Sequence, residues 1–384
     1  MDEVVRYTYR LRPGATAEAA LLAEWGRCRW LWNEAVHQQK SGAKPTLAKL
    51  GKLLTDARTK LPWLREGSQV VQQQALRGYA QSSDHSFKVK GRRKPRIKAR
   101  KNTLPSLEYT TRGFGIKDRR LVLPKGVTIP VVWSRELPSE PTSVRVYRDC
   151  LGHWYASFVV RRAVEAMPRA EGGVGIDWGV ATTATASDPA FDLPYLGHRK
   201  RCAAELAKAQ RKMARRYRKS RPQSRGYVDA KRQAARLAKK AMRQTRHDSR
   251  VWAKRVVQAH DLIAVEDFTP VFLARSTMAR KSADAAIGAA KRELIERARR
   301  AGRRVVLVRP AYTTMTCSGC FARAKQRLEL GERRFRCGEC GHTDTRDRNA
   351  ARVILATAER GHNSVEDIRQ ADRPPSGDVG AVAV

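Results

Sequence analysis

The chain has 384 residues, enough for two or three domains with sizeable cores. Its 78 Lys and Arg against 37 Asp and Glu leave a formal net charge of +41, which no compact surface keeps without a polyanion; nucleic acid is the default partner, bound in a salt-dependent way. The excess suits a long structured RNA together with DNA. No run approaches the length of a membrane span, the N-terminus lacks a secretion signal, and seven scattered cysteines argue against a disulfide framework. These features predict the cytosol or nucleoid, with no membrane partner.

Residues 3–12 alternate apolar and polar and predict a strand ended by Pro13 and Gly14. Residues 17–40 predict a helix with Leu21, Leu22, Trp25, Trp30, Leu31 and Val36 near one face, and more helix is expected at 46–60 and 67–85. The segment 88–101 carries nine positive charges and no negative one, a basic loop too self-repelling to fold without a partner. Strand character returns in segments beginning at Tyr109, Arg120, Val127, Ser143 and Trp154, separated by Gly, Pro and Asp turns. With residues 3–12 they can close a small β-barrel spanning 1–16 and 102–170, with 17–101 as a helical insertion. Trp25, Trp30 and Trp32, and likewise Tyr109, Trp133 and Trp154, are expected in cores rather than as stacking platforms for bases.

The pattern changes near 168–172. Val174 to Asp177 is a buried strand ending in a carboxylate, and 181–186 a small-residue strand paired with it. Residues 199–257 predict two long helices broken near Arg221 and Pro222, with 22 Lys and Arg and only three acids, Glu205, Asp229 and Asp248; so lopsided a ratio points to nucleic-acid contact rather than a solvated face. Then come strand 261–266, helix 284–301, strand 304–309, a cysteine-bearing segment at 313–342, helix 347–360, and a tail at 373–384 expected to be disordered.

Cys317 and Cys320, then Cys337 and Cys340, are two close pairs at the separation of two zinc knuckles. Four thiolates leave no open position, so the zinc is structural; His342 is a bystander, and Cys28, Cys150 and Cys202 are expected to be packed core thiols rather than reactive ones. Asp177 and Glu266 sit at strand ends, where functional groups gather in alternating strand–helix sheets. Asp347 begins a helix, where it either caps the backbone or faces the other two. Three converging carboxylates repel unless cations lie between them, and Mg²⁺ prefers oxygen ligands. Each acid alone is more often a turn or cap residue, and Asp267 is an alternative to Glu266. In this order around a cysteine ribbon they point to a two-metal nuclease. Gly172, Gly173 and Gly175 precede a strand instead of following one, so they are no dinucleotide fingerprint.

At these motifs the sequence resembles TnpB, a transposon-encoded family related to type V CRISPR effectors. The likeness rests on Gly175-Ile-Asp177-Trp-Gly-Val, Ile263-Ala-Val-Glu266-Asp-Phe, Tyr312 to Cys320, Phe335 to Gly341, Arg346-Asp347-Arg-Asn349-Ala-Ala, and the opening Tyr7 to Pro13 and Gly26 to Asn33. It implies a multidomain α+β chain: a wedge-type β-barrel with an inserted helical recognition lobe, then an RNase H-like RuvC nuclease domain (171–312 and 343–372) interrupted by a zinc ribbon (313–342). It further implies catalytic and magnesium-binding Asp177, Glu266 and Asp347, zinc ligands Cys317, Cys320, Cys337 and Cys340, a guide RNA from the element's end, a DNA target beside a short flanking motif, and a monomer or weak dimer. Trp178, Phe268, Phe321 and Met315 depart from the family's usual Leu, Leu, Gly and Gln, which touches packing and not the ligands. A guided repressor that does not cut, a strand-joining transposase, and a zinc-ribbon scaffold without chemistry are the rival functions.

Overall fold

The computed structural model describes residues 2–42, 46–100, 103–164, 167–268, 278–324, 326 and 332–371. The tail at 373–384 lies outside them, as do parts of the cysteine-bearing segment. The chain divides into two compact units, Met1–Val164 and Glu165–Val384.

The first unit holds β1 (Asp2–Leu11), α1 (Ala15–Lys40), α2 (Leu47–Lys60), α3 (Pro62–Arg65), α4 (Gln69–Lys88), β2 (Ser106–Thr110), β3 (Gly115–Lys117), β4 (Arg120–Leu123), β5 (Val127–Val132), β6 (Ser143–Arg148) and β7 (Trp154–Ala163). Its seven strands form one sheet in the order β2-β6-β7-β1-β5-β4-β3. The spine is the long antiparallel ladder of β1 and β7, from Asp2 opposite Ala163 to Leu11 opposite Trp154. The alternation of β1 puts Val5, Tyr9 and Leu11 inside and Arg6, Thr8 and Arg10 outside. The expected closed barrel is not formed: among the described strands the edges β2 and β3 do not pair with each other. The concave face is filled instead by Leu21, Trp25 and Cys28 of α1 and Val71 of α4. The distal half of α1, with Leu31, Ala35 and Val36, packs with α2 and α4 in a separate helical core.

The basic segment also departs from expectation. It has no regular structure, but it is docked on α1: Asn33 bonds the backbone of Lys98 on both sides, its Oδ1 accepting from the amide at 2.8 Å, and the Trp32 indole donates to Arg96 O at 3.0 Å. The Lys98 ammonium lies 3.3 Å from the Trp32 ring centre. Stacking on aromatic faces and backbone bonds offset the self-repulsion. Tyr109 and Trp154 are buried and Trp133 half-buried against the same core, as expected.

The second unit holds β8 (Gly173–Trp178), β9 (Thr182–Ala186), β10 (Leu193–Pro194), α5 (His198–Arg201), α6 (Ala203–Arg216), α7 (Arg225–Ala259), β11 (Leu262–Glu266), α8 (Ala279–Ala285), α9 (Ile287–Arg300), β12 (Arg304–Val308), β13 (Arg334–Arg336), β14 (Thr343–Thr345), α10 (Arg346–Glu359) and α11 (Val365–Ala371). The sheet order is β10-β9-β8-β11-β12, with β8, β11 and β12 parallel and β9 antiparallel to β8. One face packs on α7 and α9 through Trp252, Val256, Ile287, Ala290 and Leu294. The other face packs on α10 through Ala264, Val308, Ile354 and Ala358. The helix expected at 284–301 is interrupted at Ala286, which is left-handed at φ 56°; the Ala285 carbonyl is taken by the Thr183 hydroxyl at 3.2 Å. The helical hairpin of α6 and α7 breaks at Pro222 as expected, and Ser224 caps α7 by accepting from the Tyr227 amide. Among the described residues no helix is long and apolar enough to cross a membrane.

Candidate active site

Gly175 is where the site begins. A Cβ there would lie 1.9 Å from the Ala351 carbonyl and 2.8 Å from the Leu355 amide, so only glycine lets the α10 backbone rest directly on β8. Period two along the strand puts Asp177 on that same face. One helical turn before Ala351 comes Asp347, over the same strand end. The parallel ladder of β8 and β11 ends at Val265 opposite Ile176, so Asp177 and Glu266 emerge as neighbours. Ala264, two residues before Glu266, is in the core beneath α10, which places Glu266 on this face too.

Asp177 and Glu266 are each 7% exposed. Burial, then the neighbouring Glu266 and Asp347 charges, pushes the Asp177 carboxyl well above the usual range. Burial also pushes Glu266 up to about 7, opposed by the Trp178 backbone amide and the Lys291 ammonium. Two dry carboxyls within hydrogen-bonding reach of each other, which repel when both are ionised, are a good fit for hard cations. Asp347 is less buried and pairs with Arg346 at 3.5 Å and Arg333 at 3.9 Å. The three carboxylates do not crowd as the thiolates do: among the described residues only the four cysteines bring three or more ligand atoms within 4.8 Å of one another.

Asp347 is not the helix cap. Thr345 takes that role, its hydroxyl accepting from the Arg348 amide. Nor is Asp267 the inward residue: its carboxylate is half-exposed and pairs with Lys291 at 2.8 Å. Trp178 points to the opposite face from Asp177 and packs edge-on to Trp252 at 6.0 Å, so this departure from the family pattern leaves the carboxylates untouched.

The thiols of Cys317 and Cys340, and of Cys320 and Cys337, are 3.6 Å apart. That is far beyond a disulfide and close to the edge of about 3.8 Å in a tetrahedron with metal–sulfur bonds of 2.3 Å. The Gly319 amide donates to Cys317 Sγ at 3.3 Å, as in a metal knuckle. Each knuckle turns through a left-handed residue, Gly341 at φ 73° and Phe321 at φ 59°. Phe321 therefore holds a conformation that costs an L-residue about 1–2 kcal/mol, and the Arg360 guanidinium covers its ring at 4.1 Å. His342 is outside the cluster but bonds Ser318 Oγ through Nε2 at 3.3 Å.

Four residues to which the sequence assigns no role of their own complete the surroundings. Lys291 faces Glu266 from α9. Arg348 forms a two-pronged pair with Asp192 at 2.9 and 2.8 Å. Asn349 is fully buried beside the first knuckle. Gly175, Arg348 and Asn349 lie within the quoted motifs beside Asp177 and Asp347, which is their sequence signal; Lys291 has none.

Two family models match this chain. One, described as "Probable transposase", covers residues 157–270, and the other, "Cas12f1-like, TNB domain", covers 288–354. Between them they take in all three carboxylates and all four cysteines. A Streptomyces pristinaespiralis protein provisionally named an RNA-guided DNA endonuclease is 30% identical over 368 residues, 93% of this chain and 90% of its own length. The similarly named InsQ of Escherichia coli K12 is 27% identical over 93% of this chain and 92% of its own. A solved Cas12f1–sgRNA–target DNA complex contains a chain of the same fold, with a TM-score of 0.56 at 11% identity, covering 92% of this chain and 98% of that one. The fold and the family matches place the chain in the probable-transposase class. The chain belongs to the TnpB family.

Proposed function

We propose that this protein is an RNA-guided DNA endonuclease encoded by a transposable element. The observation that carries the reading is the meeting of Asp177 and Glu266, both buried, at the ends of adjacent parallel strands, with Asp347 facing them from α10. Relatives at 30% and 27% identity over nearly the whole chain bear the corresponding name, and the net charge of +41 supplies the affinity for polyanions.

In this reading the three carboxylates hold Mg²⁺, and the four cysteines hold a structural Zn²⁺. Magnesium bound there would activate water and stabilise the leaving oxygen of a phosphodiester. Asp177 and Glu266 are oriented by the Trp178 backbone amide, while Arg346 and Arg333 pair with Asp347. Exposed Lys208, Arg211, Lys212, Lys231, Arg232 and Arg236 on the α6–α7 hairpin, and the docked basic segment 88–100, bind RNA and heteroduplex phosphates. The first unit is the wedge with its recognition lobe, the second a RuvC-like nuclease carrying the ribbon. Guide pairing reads the target, and the protein reads duplex shape and a short flanking motif.

The test is cleavage of a plasmid library whose fixed target is flanked by randomised bases. The protein is co-expressed with RNA from the 3′ end of its own locus, with Mg²⁺ present and Asp177→Ala as control. Depletion of a few flanks by the parent alone supports guided cleavage. Retention of RNA and DNA by both proteins without depletion refutes it in favour of a guided repressor, and strand joining refutes it in favour of a transposase.

A further inference from the structure

Three consecutive residues in the first turn of α10 are each engaged differently. Asp347 faces the carboxylate site. Arg348 reaches sideways to Asp192 and the Ala186 carbonyl. Asn349 turns the other way, into the first cysteine knuckle, where its Nδ2 donates to Thr316 O at 2.7 Å and its Oδ1 accepts from the Ser318 amide at 2.9 Å. Thr316 and Ser318 flank Cys317, and all of Thr316, Cys317 and Asn349 are fully buried. The amide of Asn349 thus satisfies both a donor and an acceptor of the knuckle backbone, which no aliphatic side chain can do. The ribbon is also covalently continuous with the helix: Thr345 is the last residue of β14 and the cap of α10. The second knuckle follows β13, whose Arg334 pairs with Thr345.

We infer that Asn349 is a positioning residue that transmits the geometry of the thiolate knuckle to Asp347. The metal held by the four cysteines then sets the affinity of the carboxylate site, and does more than hold the ribbon together. The reasoning is local. Asp347 and Asn349 lie two residues apart in one rigid helical turn, so a displacement of the knuckle moves the Asp347 carboxylate, whereas Asp177 and Glu266 stay with the sheet. Partners one shell beyond a ligand typically tune metal affinity or activity by about 10–100-fold. The inference rests on the carboxylate site proposed above.

The experiment uses the full-length, zinc-loaded chain free of nucleic acid. Mn²⁺ is the probe, titrated with the free ion followed by its paramagnetic resonance signal; binding absent in Asp177→Ala marks the carboxylate site. Zinc content and thermal melting are read on the same samples. Asn349→Ala is expected to keep one zinc per chain and bind Mn²⁺ about 10–100-fold more weakly. Asn349→Asp keeps the volume and the acceptor for Ser318 but turns an acceptor toward Thr316 O and buries a charge, so it is expected to bind Mn²⁺ no more tightly than Asn349→Ala. Stripping zinc from the parent should weaken Mn²⁺ binding to a similar extent, with little further loss when zinc is stripped from Asn349→Ala, because the two perturbations break one linkage. Parent-like Mn²⁺ affinity in zinc-loaded Asn349→Ala overturns the inference, as do losses that simply add, or zinc loss by both variants on purification. Absence of site-specific Mn²⁺ binding in the parent overturns the carboxylate-site reading itself.

Discussion

Replacing Glu266 by Gln should stabilise the metal-free protein above neutral pH. Burial raises this carboxyl from its ordinary 4.5 to about 7. A raised carboxyl means that the folded state holds the proton more tightly than the unfolded chain. Its favourable contribution is therefore complete below pH 4.5 and is lost as pH rises through 7. The shift corresponds to about 3 kcal/mol, at a residue only 7% exposed. Glutamine has the same shape and never ionises, so the parent should lose roughly 3 kcal/mol more than Glu266→Gln between pH 4.5 and 8. For a unit of this size that is roughly 6–12 °C in Tm. The assay is calorimetry across that range in magnesium-free buffer, with no chelator so that zinc is retained. Added Mg²⁺ should then raise the Tm of the parent at pH 8 and leave the variant nearly unmoved, by mass action on the folded state. Parallel pH profiles for parent and variant would refute the reasoning, because Glu266 would then ionise alike in both states.

Gly175→Ala should destabilise the second unit by more than about 3 kcal/mol, since the new methyl meets a backbone carbonyl that cannot turn away; Gly288→Ala, whose nearest neighbour is the Arg292 side chain at 3.5 Å, is the control and should be neutral or stabilising by up to about 1 kcal/mol in urea unfolding. Phe321→Gly should be more stable than Phe321→Ala by about 1 kcal/mol: both lose the Arg360 stack, but only glycine relieves the left-handed backbone. Equal stabilities for the pair would count against strain in the knuckle. Cys337→Ser should purify with well under one zinc per chain by atomic emission, against one for the parent, because a tetrahedral thiolate site loses most of its affinity with one ligand.

The parts of this molecule written in local pattern are legible in the sequence. An apolar run ending in Asp177 or Glu266 gives both a strand and the residue at its end, and the spacing of four cysteines gives a cluster before any fold is known. What is not legible depends on contacts between distant segments. Gly175 reads as one small residue in a buried strand until Ala351 is seen resting on it. Asn349 reads as one more polar residue inside a helix, because its partners belong to a loop beyond a hairpin. Whether Asp347 caps its helix or faces the sheet turns on a shift of two residues, decided by the Thr345 hydroxyl. Barrel closure is not legible for the same reason: strand alternation identifies an inner face but not whether a helix or an opposite wall fills it. The charge of the basic segment 88–101 says nothing of its anchors, Trp32 and Asn33, which are in another element.

The order of segments along the chain has a consequence for synthesis. The sheet strands carrying Asp177 and Glu266 leave the ribosome well before α10, which begins at Arg346. At about 5–20 residues per second, several seconds pass in which both acids lie on a bare sheet face with no Asp347 above them. The first unit and the basic hairpin are complete by then. A nascent or prematurely terminated product thus carries the basic hairpin without the full carboxylate set, so on the proposed reading truncation upstream of Arg346 removes cutting before it removes the charge that would hold nucleic acid.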